Sequence, residues 1–274
     1  MVAKFNNAAN SYDHDFTNLF TGKQQREVVW NYLNKNFTSP LNILEINCGT
    51  GEDALFLSKQ GHIVLATDIS DQMIEVALQK QHVAGNGIKP IFQVCGFNDL
   101  NTIEKKFDLV FSNFGGLNCI SPEQLSRLSL TLAGLLNTNG RLVAVTMPPI
   151  CIWELFYFAL KLRFNKALRR WNKKPALVSV GGVLVSTWYF TPRQFANQLK
   201  REFKTVKQVP VGIAIPPPFM EPLLIRFPRL QNILVRLEKR LGKLSFLANV
   251  SDHFLTDMKK KLAGLSQNNI AQEL

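Results

Sequence analysis

Four residues in the first quarter of the chain have types and spacing that suit chemistry. Asn47, Gly49 and Gly51 fall in a short loop, and Asp68 lies seventeen positions after the last of them. An apolar run, Ile43 to Ile46, leads into the loop; a helical segment, Glu52 to Gln60, leaves it; a second apolar run, Ile63 to Thr67, ends at Asp68. Strand, tight glycine loop, helix, strand and acid is the opening βαβ unit of a nucleotide-binding sheet. Glycines let the backbone approach a ligand closely and adopt positive φ. A carboxylate at the end of the second strand can accept hydrogen bonds from ribose hydroxyls. The G-x-G-x-x-G spacing of a dinucleotide site is absent. Candidate bases are few: His14, Asp13 and, farther off in sequence, His253.

The loop resembles the first motif of the class I S-adenosylmethionine-dependent methyltransferases, acid-x-Gly-x-Gly-x-Gly. Glu45, Asn47, Gly49 and Gly51 occupy those positions, with Asn in place of the first glycine. Asn is the best non-glycine visitor to left-handed backbone geometry, so the loop can still form. The resemblance implies S-adenosylmethionine as cofactor, held by Glu45, Asn47, Gly49, Gly51 and Asp68, with Ile69 and Met73 flanking the adenine. After strand three the family often carries an acid for the adenine amino group. This chain has Gly96 there, leaving backbone groups, Phe97, Asn98 or Asp99 to do that work. Strand four opens at Phe107-Asp108 and ends at Ser112-Asn113-Phe114-Gly115-Gly116, which makes Asn113 a contact candidate at the carboxyl end of the sheet. The Asn/Asp-Pro-Pro-aromatic motif of adenine-N6 and glutamine methyltransferases is absent. Tyr12-Asp13 resembles a Tyr-Asp pair that folds over the cofactor in small-molecule members, and a solvated arm is an equal reading. Tyr12 and His14 are the catalytic candidates.

The elements that must position these groups follow from pattern. A leader helix is expected over Gly22 to Asn34, helices from Asp71 through Ala84 and from Pro122 to Leu136, and strands at Pro90–Cys95 and Arg141–Thr146. Trp153 to Lys174 reads as one helix, with Trp153, Tyr157, Leu160, Phe164 and Trp171 on one stripe and Lys166, Arg169, Arg170 and Lys173 opposite. Gly181-Gly182 marks a hairpin or bulge, and Thr191-Pro192 starts a helix. Thr205 to Val211 is expected to close the sheet as the last strand. An amphipathic basic helix opens at Pro228, and a final helix is expected over Ser251 to Leu262. The fold expected is a Rossmann-like, doubly wound seven-stranded sheet with an antiparallel last strand, plus a helical lid and C-terminal helices. Its parts are a leader (1–36), a cofactor-binding domain (37–215, with an insertion at about 150–178) and basic C-terminal helices (216–274).

Charge separates the halves. Residues 1–150 carry a net −2 and residues 151–274 a net +14 within the overall +12. That asymmetry points to an anionic partner. The four cysteines form no C-x-x-C pair and no metal spacing, so no metal is expected and free thiols fit a reducing cytoplasm. The N-terminus shows no signal peptide and no run reaches the ~20 apolar residues of a membrane span. The expected activity is methyl transfer to a small, apolar or lipid-like acceptor, with oxygen favoured and with peripheral contact with an anionic membrane surface as one role of the basic half. RNA or protein methylation, and a non-catalytic cofactor-binding or membrane-surface role, stay open. Dispersed Lys and Arg without a recognisable module argue against nucleic acid.

Overall fold

In the computed structural model, residues 5–83, 87–171 and 174–262 are described. Seven strands form one sheet in the order β3-β2-β1-β4-β5-β9-β8, and β6 pairs with β7 in a separate hairpin. The strands are β1 (Asn42–Ile46), β2 (Ile63–Asp68), β3 (Ile91–Val94), β4 (Phe107–Ser112), β5 (Leu136–Thr146), β6 (Ala176–Val180), β7 (Val183–Thr187), β8 (Phe203–Val211) and β9 (His253–Lys260). β1 runs parallel to β2 and β4, and β4 parallel to β5. β9 is antiparallel to both of its neighbours, β5 and β8. The strand order reverses between β1 and β4, so a crevice opens at their carboxyl ends.

Both faces of the sheet are covered, which is why the central strands read as continuous apolar runs. On one face Leu44, Ile46, Val110 and Leu142 pack with Leu125, Leu132, Phe195 and Phe203. On the other, Ile43, Leu109, Phe111 and Val143 pack with Val29, Leu33, Ala54 and Leu57. Each fully buried Leu, Ile or Phe stabilises the fold by about 1.5–3 kcal/mol. The Pro122–Leu135 helix starts on a capping box in which Ser121 and Gln124 bond reciprocally. Thr191 and Gln194 do the same for the Pro192–Leu199 helix. Asp108 braces the sheet by accepting from the Asn42 N–H at 2.9 Å and the Asn137 amide at 2.7 Å.

Three expectations change. The strand beside β5 is β9, not the Thr205–Val211 segment, which lies in β8 at the sheet edge; the helix expected from Ser251 to Leu262 is therefore a strand from His253 to Lys260. Residues 216–274 are thus not helices alone. Every β9 residue from His253 to Met258 is buried, so no alternating pattern marked it as a strand. The single helix expected over Trp153–Lys174 is broken. It runs from Ile152 to Leu160, turns at Leu162 with φ +54°, and resumes as short pieces at Phe164–Ala167 and Arg169–Trp171. The turn carries Arg169 and Arg170 back onto the buried Glu154, and Arg170 also reaches Asp252 at 2.7 Å. Arg170 is buried rather than on a solvated face. Lys173, Ala84 and the chain from residue 263 onward lie outside the described residues.

The leader helix spans Phe20–Asn36. Its open N-terminus is closed from far along the chain: Glu221 accepts from the N–H groups of Phe20 at 2.7 Å and Thr21 at 3.0 Å. The Pro228–Leu241 helix buries only part of its apolar stripe. Leu234 and Glu238 are its buried residues, while Leu230, Ile233 and Leu237 face outward. Glu238 receives the N–H groups of Gly212, Ile213, Ala214 and Ile215 at 2.6–3.3 Å, which holds the loop after β8.

Candidate active site

The crevice at the carboxyl ends of β1, β2 and β4 holds a cavity of about 480 Å³, within the range of small-molecule sites. At its floor the β1 loop adopts left-handed geometry at three positions: Asn47 (φ +52°), Gly49 (φ +53°) and Gly51 (φ +76°). Asn47 takes the place of a glycine there and adds bonds that a glycine lacks. Its amide donates to the Asn113 carbonyl at 3.1 Å and accepts from Ser112 at 2.7 Å, tying the β1 loop to the β4 loop. A Cβ on Gly116 would stand 2.2 Å from the Asn47 side chain, so the glycine at 116 makes room for the asparagine at 47. Above Gly49 the space is open, because a Cβ there would meet nothing within 4 Å. Gly51 does a different job. It faces Phe92 and Ala77, and lets the loop pack against its neighbours instead of lining the cavity.

Asp68 accepts the Gly49 N–H on one carboxylate oxygen and the Ser70 N–H on the other, both at 2.9 Å. Burial raises its pKa, against the pull of those N–H bonds. It lines the cavity with Asn47, Gly49, Ile69, Met73, Phe97, Asn98 and Asn113, all of them candidates from the sequence. Asp99 lines the cavity as well, beside Gly96. Glu45 does not reach the cavity; it is buried in β1, and burial together with the nearby Asp53 charge holds its carboxyl well above the usual range.

The two catalytic candidates separate. Tyr12 lines the cavity, and burial pushes its phenol up to about 12 despite the Arg26 cation. It is a hydrogen-bond donor at neutral pH, not a base. His14 is turned outward, its side chain 90% exposed and bonded to Asp15 at 2.8 Å. His253 is buried at the start of β9 and meets the Phe114 ring edge-on at 5.4 Å, behind the cavity wall.

The leader closes over the cavity. Asp13 accepts from Thr50 in the glycine loop at 2.7 Å and from Lys80 at 3.0 Å. Burial opposes its ionisation, yet these donors and the Lys80 charge hold its pKa below the usual value. Asn6 bonds Ser70 at 2.6 Å and Asp71 at 2.8 Å. The β6–β7 hairpin turns at Gly181 and Gly182, and its tip rests on Ala8, where a Cβ on Gly181 would collide at 2.6 Å. Phe5 from the leader and Val185 and Ser186 from the hairpin thereby reach the cavity. No sequence signal marked the hairpin pair, which lies over a hundred residues from the loop that it covers.

Beneath Tyr12 a buried charge pair, Arg26 with Asp53, anchors the first turn of the Glu52–Lys59 helix. Trp30 and Asn113 also donate to Asp53, at 2.6 and 3.1 Å. The positive end of that helix therefore already holds one of the chain's own carboxylates. The Arg26 guanidinium lies 4.9 Å from the Phe114 ring centre. Asn113 donates its amide N–H to this cluster, accepts the Phe114 N–H on its oxygen at 3.0 Å, and lines the cavity.

Residues 43–140 match the family described as methyltransferase domain. A demethylmenaquinone methyltransferase of Clavibacter sepedonicus is 29% identical over 154 residues, 54% of this chain and 59% of that protein. An 18S rRNA (guanine-N(7))-methyltransferase of Schizosaccharomyces pombe is 43% identical over 47 residues, 17% of this chain and 18% of that protein. The chain thus spans less than two thirds of the length of these relatives. The magnesium protoporphyrin IX methyltransferase of Synechocystis PCC 6803, crystallised with bound SAH, has the same fold at a TM-score of 0.53 and 17% identity, covering 88% of this chain and 83% of that one. The family match covers the stretch that holds the glycine loop and strands β1 to β4, and the sheet around it has the fold of the Synechocystis methyltransferase structure.

Proposed function

We propose that the protein transfers a methyl group from S-adenosylmethionine to a small apolar acceptor, with an oxygen as the favoured acceptor atom. The observation that carries this reading is the mixed lining of the cavity. Asp68, Asn98 and Asp99 supply hydrogen-bonding groups, and Phe5, Phe114, Ile120 and Val185 supply apolar surface. The residues fit the cofactor: the open space over Gly49 admits a ligand against the backbone, and Asp68 keeps lone pairs for ribose hydroxyls. Ile69, Met73 and Phe97 would flank a planar base, with Asn98 or Asp99 at its edge. Bound there, the cofactor supplies an activated methyl group on a sulfonium.

What the chain adds is orientation and exclusion of water, which together account for much of the rate of such a transfer. The leader and the hairpin cover the cavity, and Tyr12 offers a phenol O–H at its rim. An acceptor oxygen that is already acidic, such as a phenol, an enol or a carboxylate, would need no base in the apolar lining. The relatives named for demethylmenaquinone and for magnesium protoporphyrin IX support a small-molecule acceptor. Contact with an anionic membrane surface is where an apolar acceptor of this kind is met.

Calorimetry tests the cofactor site. Asp68→Ala removes a carboxylate whose ribose bonds are worth about 1.5–3 kcal/mol each, so affinity for S-adenosylmethionine should fall by roughly a hundredfold. Equal affinities would overturn the cofactor assignment. Labelled methyl transferred into solvent-extractable product from a lipid extract supports the acceptor class, and label recovered only in RNA or protein refutes it.

A further inference from the structure

The two helical segments outside the sheet meet on one side of the molecule. Phe219 packs on Tyr157 and Phe158 at ring-centre distances of 5.1 and 5.5 Å. Trp153 joins Leu224 and Leu234 in a small core beneath them. Large apolar side chains of both segments are exposed. Phe156, Leu160, Phe164 and Trp171 are exposed in one segment, and Phe227 and Ile233 in the other. Scattered single apolar residues need no explanation, but a cluster of large ones does.

The charges on these segments are one-sided. Between Ile152 and Trp171 and between Pro218 and Phe246 the chain has three carboxylates, Glu154, Glu221 and Glu238, and all three are buried. Glu154 holds Arg169 and Arg170, Glu221 closes the leader helix, and Glu238 takes four backbone N–H groups. Every acid is thus spent inward. The cations face out: Lys161, Arg163 and Lys166 in the first segment, and Arg226, Arg229, Arg236, Lys239, Arg240 and Lys243 in the second, are exposed. None of them has a carboxylate partner among the described residues.

We propose that this face, formed by residues 152–171 and 218–246, docks on an anionic lipid bilayer, its aromatic and aliphatic side chains entering the headgroup boundary while the cations engage lipid phosphates. Exposed apolar residues ringed by Lys and Arg are the physical recipe for interfacial binding. A second copy of this chain fits poorly, because a two-fold contact would set cation against cation. A nucleic acid would use the cations but leave Leu160, Ile233 and the other aliphatic side chains without stacking partners. No described helix is long and apolar enough to cross the membrane, so the contact is with its surface. The inference deepens the reading of an apolar acceptor, but the docking needs neither cofactor nor acceptor and can be tested without them.

The test is co-sedimentation of the full chain, without cofactor, on vesicles of phosphatidylcholine alone and of phosphatidylcholine with phosphatidylglycerol. Strong binding to the anionic vesicles is expected, at least about tenfold weaker binding to the neutral ones, and weakening with salt. Phe156→Asp with Phe227→Asp, and separately Arg229→Glu with Arg236→Glu, should each reduce binding by about tenfold or more. All four sites are exposed, so circular dichroism and S-adenosylmethionine affinity should be unchanged. Absence of binding to anionic vesicles overturns the proposal, and so does binding that ignores the aromatic pair. A dimer in ultracentrifugation that the aromatic pair dissolves would assign the face to a second copy instead. Tight RNA binding that the aromatic pair weakens equally would assign it to nucleic acid. Failure of S-adenosylmethionine binding leaves the vesicle result standing, so the two readings fail separately.

Discussion

Replacing Arg170 by alanine should destabilise the fold by about 3–5 kcal/mol at neutral pH, the usual cost of stranding buried charge by removing its partner. The Arg170 guanidinium is 6% exposed and reaches Glu154 at 2.7 Å, the Asp252 carboxylate at 2.7 Å and the Asp252 carbonyl at 3.0 Å. Three charge-assisted bonds at about 1.5–3 kcal/mol each would sum to more, but they share one cation and do not add. Against a total stability of roughly 5–15 kcal/mol the loss is large. The pH dependence has a definite sign. Burial works against the Asp252 carboxylate, but His253 and Arg170 hold its pKa far below the usual range. A carboxyl with a depressed folded pKa contributes stability that is present above its unfolded value, about 3.9, and is lost as pH falls toward the folded one. The wild type should lose this contribution on acidification below about pH 4, whereas Arg170→Ala keeps only the part that His253 supplies. Urea unfolding should therefore show a gap between the two proteins that narrows as pH is lowered. Arg169→Ala is the control: that side chain also holds Glu154 but is 38% exposed, and its removal should cost under about 1 kcal/mol. A deficit below about 1 kcal/mol for Arg170→Ala, or one independent of pH, would refute the reasoning.

The pairing of Gly116 with Asn47 gives a double-mutant cycle. Gly116→Ala alone should lower stability by about 1–3 kcal/mol through collision with the Asn47 amide, and adding Asn47→Gly should recover most of that loss; denaturation that shows no recovery would remove the pairing from the account. The leader latch should loosen in acid, because Asp13 has a lowered folded pKa and its bonds to Thr50 and Lys80 weaken as pH falls below about 4; limited proteolysis between residues 5 and 17 should quicken there and in Lys80→Ala, and unchanged cleavage would deny the latch.

The parts legible in the sequence are those where backbone geometry dictates residue type. The turn after β1 requires left-handed residues, and Asn47, Gly49 and Gly51 announce it; Asp68 follows at the distance that one helix and one strand impose. The helix starts at Ser121 and Thr191 carry their own caps. β9 was not legible for the opposite reason. A strand buried on both faces has no alternation, and Phe254, Leu255 and Met258 fall equally well on a helical stripe. Arg170 looked like part of a solvated basic face because its partners, Glu154 and Asp252, are sixteen and eighty-two positions away. The Pro228–Leu241 helix was amphipathic as expected, but periodicity does not say which part of the stripe turns inward. Here a carboxylate decides it, since Glu238 takes its side to the N–H groups after β8.

β9 sits between β5 and β8 but follows both in the chain, with the helices of residues 218–246 inserted before it. The sheet is therefore completed by insertion of its latest strand into an open slot, and β8 has no partner in it until that happens. A ribosome-bound chain halted before His253 would carry β8 as an unpaired edge, with the apolar faces of the intervening helices bare beside it. Such a chain would depend on a chaperone until synthesis passed Lys260. Any protein fused or tagged within the helical segment would also lengthen the loop that must close before β9 can find its place, and would slow folding more than it lowered stability.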